Sequence, residues 1–166
     1  ALPSVTRALG ASEEVDMLAA YYERGEDSAE LFGTLKISKV ESYEKNRNQY
    51  DIIKVNMQEF LSMTHSMDEM LSMLQKYLIF DLTDHFDNVR FRDENNLIQV
   101  MKDIYSKTKH SFVILIDEWD CLFREYQQDQ EAQKKYLDFL RAWLKDKDYV
   151  ALAYMTGILL KNVLCE

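Results

Sequence analysis

The stretch Phe112–Asp120, F-V-I-L-I-D-E-W-D, constrains the fold of this chain more than any other. Five consecutive apolar residues end abruptly at two adjacent carboxylates, Asp117 and Glu118. An apolar run of this length is typical of a buried strand in a parallel sheet. Many ATPases place such a pair at the end of a strand, where the Asp holds a hydrated Mg²⁺ and the Glu positions the attacking water. The stretch therefore indicates a nucleotide-hydrolase fold.

Strands and helices alternate along the rest of the chain. Helices are predicted where apolar residues recur at steps of three and four or where a capping residue precedes them: about Glu13–Glu23, a short helix after Asp27, Ser66 to about Phe86, a helix starting at Asp93, and about Asp129–Leu144. Strands are predicted at Asp51–Met57, Phe112–Ile116 and Tyr149–Tyr154. This alternation predicts an α/β fold, a parallel sheet of few strands flanked by many helices. We expect residues 1–166 to form a single domain.

Composition excludes several classes of function. The chain has 20 basic and 29 acidic residues, a net charge of −9, so its surface repels phosphate backbones and anionic lipids. We therefore expect no nucleic-acid and no membrane partner. The two cysteines and three histidines have no metal-binding or redox spacing, and no apolar run approaches the length of a membrane span. These patterns predict a cytoplasmic protein without a structural metal.

The residues that could carry chemistry follow the predicted strands. The carboxyl ends of parallel strands form the ligand-binding edge of a sheet, and Asp117, Glu118, Thr156 and Gln58 lie at such ends. Asp117 would bind Mg²⁺ through water, Glu118 would activate the attacking water, and Thr156 could sense the terminal phosphate. The alternative is that the two acids cap the following turn and that Thr156 is an ordinary strand residue. The residues alone leave both interpretations open.

Four stretches of the chain resemble one known family. They are M-L-A-A-Y-Y-E-R-G (17–25), S-Y-E-K-N-R-N-Q-Y-D-I-I-K-V-N-M-Q-E-F (42–60), F-V-I-L-I-D-E-W-D (112–120) and Y-L-D-F-L-R…Y-V-A-L-A-Y-M-T-G-I-L (136–159). Together they are similar to the AAA-ATPase-like domain family of bacterial proteins, whose members often carry a C-terminal PD-(D/E)XK nuclease-like domain. The resemblance runs from about Arg7 to Leu159 and implies a partial P-loop NTPase-like fold.

This chain departs from the family's pattern at the phosphate-binding loop. The family loop reads approximately S-R-P-R-R-F-G-K-S, whereas Ser4–Ser12 reads S-V-T-R-A-L-G-A-S. Ala11 stands in place of the phosphate-binding lysine, although Arg7, Gly10 and Ser12 match. The resemblance also implies that the strand before the loop and everything after Leu159 are missing.

A loop without its lysine should bind phosphate weakly. Ala11 removes a positive charge, and Glu13 and Glu14 place carboxylates at the start of the following helix, where phosphate would approach. We therefore expect no cofactor. If nucleotide does bind, the resemblance assigns phosphate contacts to Arg7, Gly10 and Ser12.

The leading hypothesis is a degenerate, non-hydrolysing AAA-ATPase-like domain that acts by protein–protein contact. One alternative is an active Mg²⁺-dependent ATPase that uses Asp117 and Glu118 with a non-standard phosphate loop, in which Arg7 replaces the lysine. Another is a self-associating structural domain. The family's fold implies that the missing strand would lie beside Phe112–Ile116, so we expect an exposed sheet edge there. Residues 1–8, Leu160–Leu164 or a second copy of the chain would have to cover it.

Overall fold

The computed structural model describes residues 5–7, 13–25 and 27–158, which form a mixed α/β fold of the predicted class. The strands are β1 (Val5–Arg7), β2 (Asp51–Asn56), β3 (Phe112–Asp117) and β4 (Val150–Met155). The helices in these ranges are α1 (Glu13–Tyr22), α2 (Ala29–Phe32), α3 (Ser42–Asn46), α4 (Met57–Ser62), α5 (Met67–His85), α6 (Leu97–Thr108), α7 (Cys121–Glu125) and α8 (Gln130–Leu144), with a 3₁₀ helix at Lys36–Lys39. None of them is long and apolar enough to cross a bilayer.

The four strands form one parallel sheet in the order β1-β2-β3-β4. Every residue of β3 is buried, as its apolar run predicts. The prediction of an exposed edge beside Phe112–Ile116 is wrong, because β3 is hydrogen-bonded to β2 on one side and to β4 on the other. Val5–Arg7, from the segment expected to cover that edge, pairs instead with the outer side of β2.

The two faces of the sheet are covered unequally. Helix α1 packs on one face, where the side chains of Val15 and Ala19 contact Ile52, Val113 and Leu115. The opposite face carries the larger core, to which helices α4 to α8 all contribute buried side chains. Because side chains alternate across a strand, Ile114 and Ile116 face this larger core while Val113 and Leu115 face α1.

Capping residues set the helix boundaries, and one prediction of a boundary was wrong. Helix α8 begins after Asp129, whose carboxylate accepts the amide hydrogen of Ala132. Helix α6 does not begin at Asp93 as predicted. Asn96 caps it instead, accepting the amide hydrogen of Gln99, and the helix begins at Leu97.

Ser66 caps the long helix α5 and provides a first test of this structure. Its hydroxyl oxygen accepts the amide hydrogen of Glu69 at 3.2 Å. We expect Ser66→Ala to lower the free energy of unfolding by about 1 kcal/mol, because one amide at the helix start loses its acceptor. Ser72→Ala, at an exposed position of the same helix, is the matched control and should not destabilise the protein. Equal losses for both variants in urea titrations would contradict the assigned cap.

Candidate functional site

Asp117 and Thr156, which the sequence placed at strand ends, lie together at the carboxyl edge of the sheet, whereas Gln58 lies within α4. Asn56, the last residue of β2, is in register with Asp117, the last residue of β3. Thr156 directly follows β4, and its hydroxyl donates a hydrogen bond to the Asp117 carboxylate. The Asp117 side chain is buried on the face of the sheet that carries α1. The buried Asp117 and the partly buried Thr156 therefore form one polar pair at this edge.

Helix α1 starts at the same edge of the sheet. Near its first residue, the Tyr154 hydroxyl of β4 donates to the Glu14 carboxylate at 2.6 Å. At its other end, the amide of Tyr50, just before β2, donates to the carbonyl of Tyr22 at 3.0 Å. The helix consequently runs antiparallel to the strands, with its amino terminus beside the carboxyl ends. This is the orientation in which P-loop proteins bind phosphate.

Acidic residues occupy the first turn of α1, and two of them bind the sheet. Asp16 accepts a hydrogen bond from the ammonium group of Lys54, a residue of β2 whose side chain is only 11% exposed. Glu14 accepts the hydrogen bond from Tyr154. These contacts give both carboxylates a structural role in holding α1 on the sheet.

The residues that match the family's phosphate loop are described only in part. Arg7 is the last residue of β1 and is in register with Val55 of β2. Gly10 and Ser12 lie outside the described residues. The backbone of Arg7 thus ends at the same edge of the sheet as Asn56.

Glu118 makes an ion pair within the site. Its backbone lies in the left-handed region at φ 53°, where residues other than glycine are uncommon and often functional. Its amide donates to the Asp117 carboxylate at 3.0 Å, and its own carboxylate accepts a hydrogen bond from the Arg124 guanidinium of α7. The same guanidinium lies 4.0 Å from the Asp120 carboxylate. The hydrogen bond to Glu118 and the charge of Asp120 raise the pKa of Arg124 above its ordinary value.

Asp120 joins the loop after β3 to the segment after β4. Its side chain is fully buried, and its carboxylate accepts the amide hydrogen of Ile158 at 2.8 Å. Gly157 packs so closely on this carboxylate that an added Cβ would lie 2.3 Å from Oδ1. On the other side of the loop, the buried Tyr136 hydroxyl donates to the carbonyl of Trp119 at 2.6 Å. The loop is therefore fixed from two sides.

Burial shifts two ionisable groups below this loop. It raises the pKa of the Cys121 thiol to about 12 and raises that of Tyr136 well above its ordinary value. Both side chains consequently stay protonated and neutral at physiological pH. Neither is a nucleophile or a general base there.

A shallow cavity of about 550 Å³ opens beside Glu118. The residues that line it are Asn56, Gln58, Glu59, Ser62, Glu118, Arg124 and Glu125. Three carboxylates face one guanidinium, and that guanidinium already binds Glu118. This lining disfavours a polyphosphate, since like charges would meet. Within the described ranges, no group of three or more His, Cys, Asp or Glu side chains could hold a metal ion.

Sequence reasoning missed three residues of this network: Lys54, Asp120 and Arg124. Lys54 breaks the apolar run of β2 and could have been noticed as a charge in a predicted buried strand. Asp120 and Arg124 follow the Asp-Glu pair, but their contacts depend on the path of the loop. The sequence carried no clear signal for them.

Comparison with known proteins supports one family. A family model described as Predicted AAA-ATPase matches residues 5–163, which is nearly the whole chain. No curated protein and no solved structure matches the chain.

Proposed function

Because this chain belongs to the predicted AAA-ATPase family, we propose that it is a degenerate member that binds no nucleotide and acts by contact with other proteins. The main support is the ion pair between Glu118 and Arg124. In the family's chemistry this glutamate would activate water. In this chain its carboxylate is hydrogen-bonded to the guanidinium of Arg124 instead.

The phosphate-binding side supports the same proposal. Ala11 provides no ammonium group where the family has lysine. A single charge contact at about 4 Å is worth roughly 4 kcal/mol at an effective dielectric near 20. Losing even half of that weakens binding by more than about tenfold. Glu13, Glu14 and Asp16 add negative charge to the helix terminus that would otherwise attract phosphate.

Titration with Mg·ATP and Mg·ADP tests the proposal. We expect no saturable heat at nucleotide concentrations up to about 1 mM. Ala11→Lys restores the missing charge and should increase affinity if loss of the lysine abolished binding. Tight binding by the unaltered chain, with turnover that Glu118→Gln abolishes, would overturn the proposal. Glu94→Gln, the same change at an exposed residue away from the site, is the control for loss of a negative charge.

One observation favours a second candidate function, an active Mg²⁺-dependent ATPase with a non-standard loop. Asp117 ends β3, where that chemistry places the carboxylate that holds Mg²⁺, and Thr156 is hydrogen-bonded to it. Arg7 ends β1 at the same edge and would supply the missing charge. This candidate requires that Arg7→Ala weaken nucleotide binding. Unchanged affinity in that variant would exclude Arg7 as the substitute.

A further inference from the structure

Two adjoining cavities lie away from the candidate site. The first, of about 590 Å³, lies between α6 and the turn that precedes β4. The second, of about 300 Å³, lies between α6 and the segment that follows α5, and it shares part of its lining with the first. Tyr149 lines the first cavity, and its carbonyl accepts the amide hydrogen of Phe112 at the start of β3. This cavity is therefore near the amino ends of β3 and β4, opposite the ends that carry Asp117 and Thr156.

The linings of the two cavities carry an excess of positive charge. Their three acids are Asp103, Asp146 and Asp148, and their six cations are Arg90, Arg92, Lys102, Lys107, Lys109 and Lys147. The net charge of the linings is thus +3, whereas that of the whole chain is −9. The cations come from three separate segments, so no run of basic residues in the sequence reveals them. The fold gathers them into one basic surface, the combined lining of the two cavities.

Arg92 lines both cavities and is held in place by a buried carboxylate. The Asp103 carboxylate accepts the amide hydrogen of Arg92 at 2.8 Å and a side-chain hydrogen of Gln99 at 2.9 Å. It also lies 3.4 Å from Nε of Arg92, although the Arg92 side chain is 76% exposed and that of Asp103 only 6%. Asp103 therefore orients an arginine that faces solvent. An arginine oriented before binding loses less entropy when it meets an anion.

We propose that the basic surface binds an acidic peptide segment of a partner protein. The inference rests on the proposed function, contact with other proteins, and it names the chemistry of the partner. Carboxylates of the segment would pair with the six cations, and Arg92 would bind one of them through charge-assisted hydrogen bonds. Backbone amides of the segment would donate to the exposed carboxylates of Asp146 and Asp148.

The mixed lining favours a peptide over a nucleic acid. Phosphates of a nucleic acid accept hydrogen bonds but donate none, so Asp146 and Asp148 would repel them. A peptide has donors as well as acceptors and fits a lining that contains both signs of charge. A long polyphosphate would also extend beyond the cavities onto a chain of net charge −9, whereas a short acidic segment would stay within the basic surface.

Fluorescence anisotropy with a labelled peptide of about eight glutamates tests this proposal. We expect saturable binding that weakens as salt rises, and no binding of a glutamine peptide of the same length. Lys102→Gln/Lys107→Gln removes one cation from each cavity and should weaken peptide binding by about three- to tenfold. Lys45→Gln/Lys76→Gln makes the same change of charge at lysines that line neither cavity and should leave binding unchanged. All four lysines are exposed, so both double variants should fold like the unaltered chain.

Three results would overturn the proposal. The first is no binding of the glutamate peptide, and the second is an equal loss of binding in the two double variants. The third is tighter binding of a labelled oligothymidylate that Lys102→Gln/Lys107→Gln weakens, since this would assign the basic surface to nucleic acid. Titration of the same double variant with Mg·ATP separates this proposal from the proposed function. Nucleotide binding that the variant retains would contradict the proposed absence of nucleotide binding, while peptide binding by the unaltered chain would still support the basic surface.

Discussion

Asp16→Ala is expected to lower the free energy of unfolding by about 2–3 kcal/mol, whereas Lys54→Met should change it by less than about 1 kcal/mol. The asymmetry follows from burial, since the Lys54 side chain is 11% exposed and that of Asp16 is 57% exposed. Removing the acid leaves an ammonium group in the interior without its counter-charge. Removing the lysine leaves a carboxylate that water can solvate, while methionine preserves the packing of the aliphatic chain.

Urea unfolding of four variants tests this asymmetry. Glu13→Ala removes another exposed acid from the first turn of α1 and measures the helix-dipole contribution, about 0.3–1 kcal/mol. The double variant Asp16→Ala/Lys54→Met should recover most of the stability that Asp16→Ala loses. If Lys54→Met costs as much as Asp16→Ala, the buried ammonium is not the source of the effect.

This ion pair bears on the proposal that the chain binds no nucleotide. A phosphate-binding helix terminus must be open to an anion, but here Asp16 and Glu14 hold that terminus on β2 and β4. Glu118 is likewise held by Arg124. Charges that a nucleotide and its metal would balance are balanced instead by side chains of the chain itself. These internal pairs allow the fold to form without a ligand. The proposed function, contact with other proteins, depends on a fold of that kind.

The buried strands and the longer helices could be predicted from sequence because their signals are local. The uninterrupted apolar run of Phe112–Ile116 predicted β3, and Ser66 followed by Glu69 predicted the start of α5. Helices α4 and α7 were missed because they have six and five residues. A helix of that length is less than two turns, too short to show a period.

The order of the strands and the contacts of the site could not be predicted in this way. A parallel strand can pair with any other strand that a crossover reaches, so the apolar run of β3 does not identify its neighbours. This is why an exposed edge was predicted beside β3, whereas among the described residues β3 has a strand on each side. Glu118 adopts a left-handed backbone and contacts Arg124, and no residue pattern in the loop indicates either feature. Asp117 and Thr156 were found because one ends a strand and the other follows one, and a parallel sheet brings such ends together.

Gly157→Ala is expected to lower the free energy of unfolding by about 2–3 kcal/mol. The added Cβ would lie 2.3 Å from Oδ1 of Asp120 and 3.0 Å from the ring of Trp119. Asp120 has little room to move, because its side chain is fully buried and binds the amide of Ile158. The clash should therefore displace the whole loop that carries Glu118. Urea unfolding followed by far-UV circular dichroism measures the loss.

Two backgrounds distinguish a direct clash from a general effect of alanine at position 157. In Asp120→Ala the obstructing carboxylate is gone, so Gly157→Ala should cost less than about 1 kcal/mol there. In Asp120→Asn an atom of similar size remains near the new Cβ, and the cost should stay near its original value. Each cost is measured relative to its own background, so a lower stability of the Asp120 variants does not confound the comparison. Equal costs in all three backgrounds would show that Asp120 is not the group that requires glycine, and the loop after β3 would then be held to β4 by other contacts.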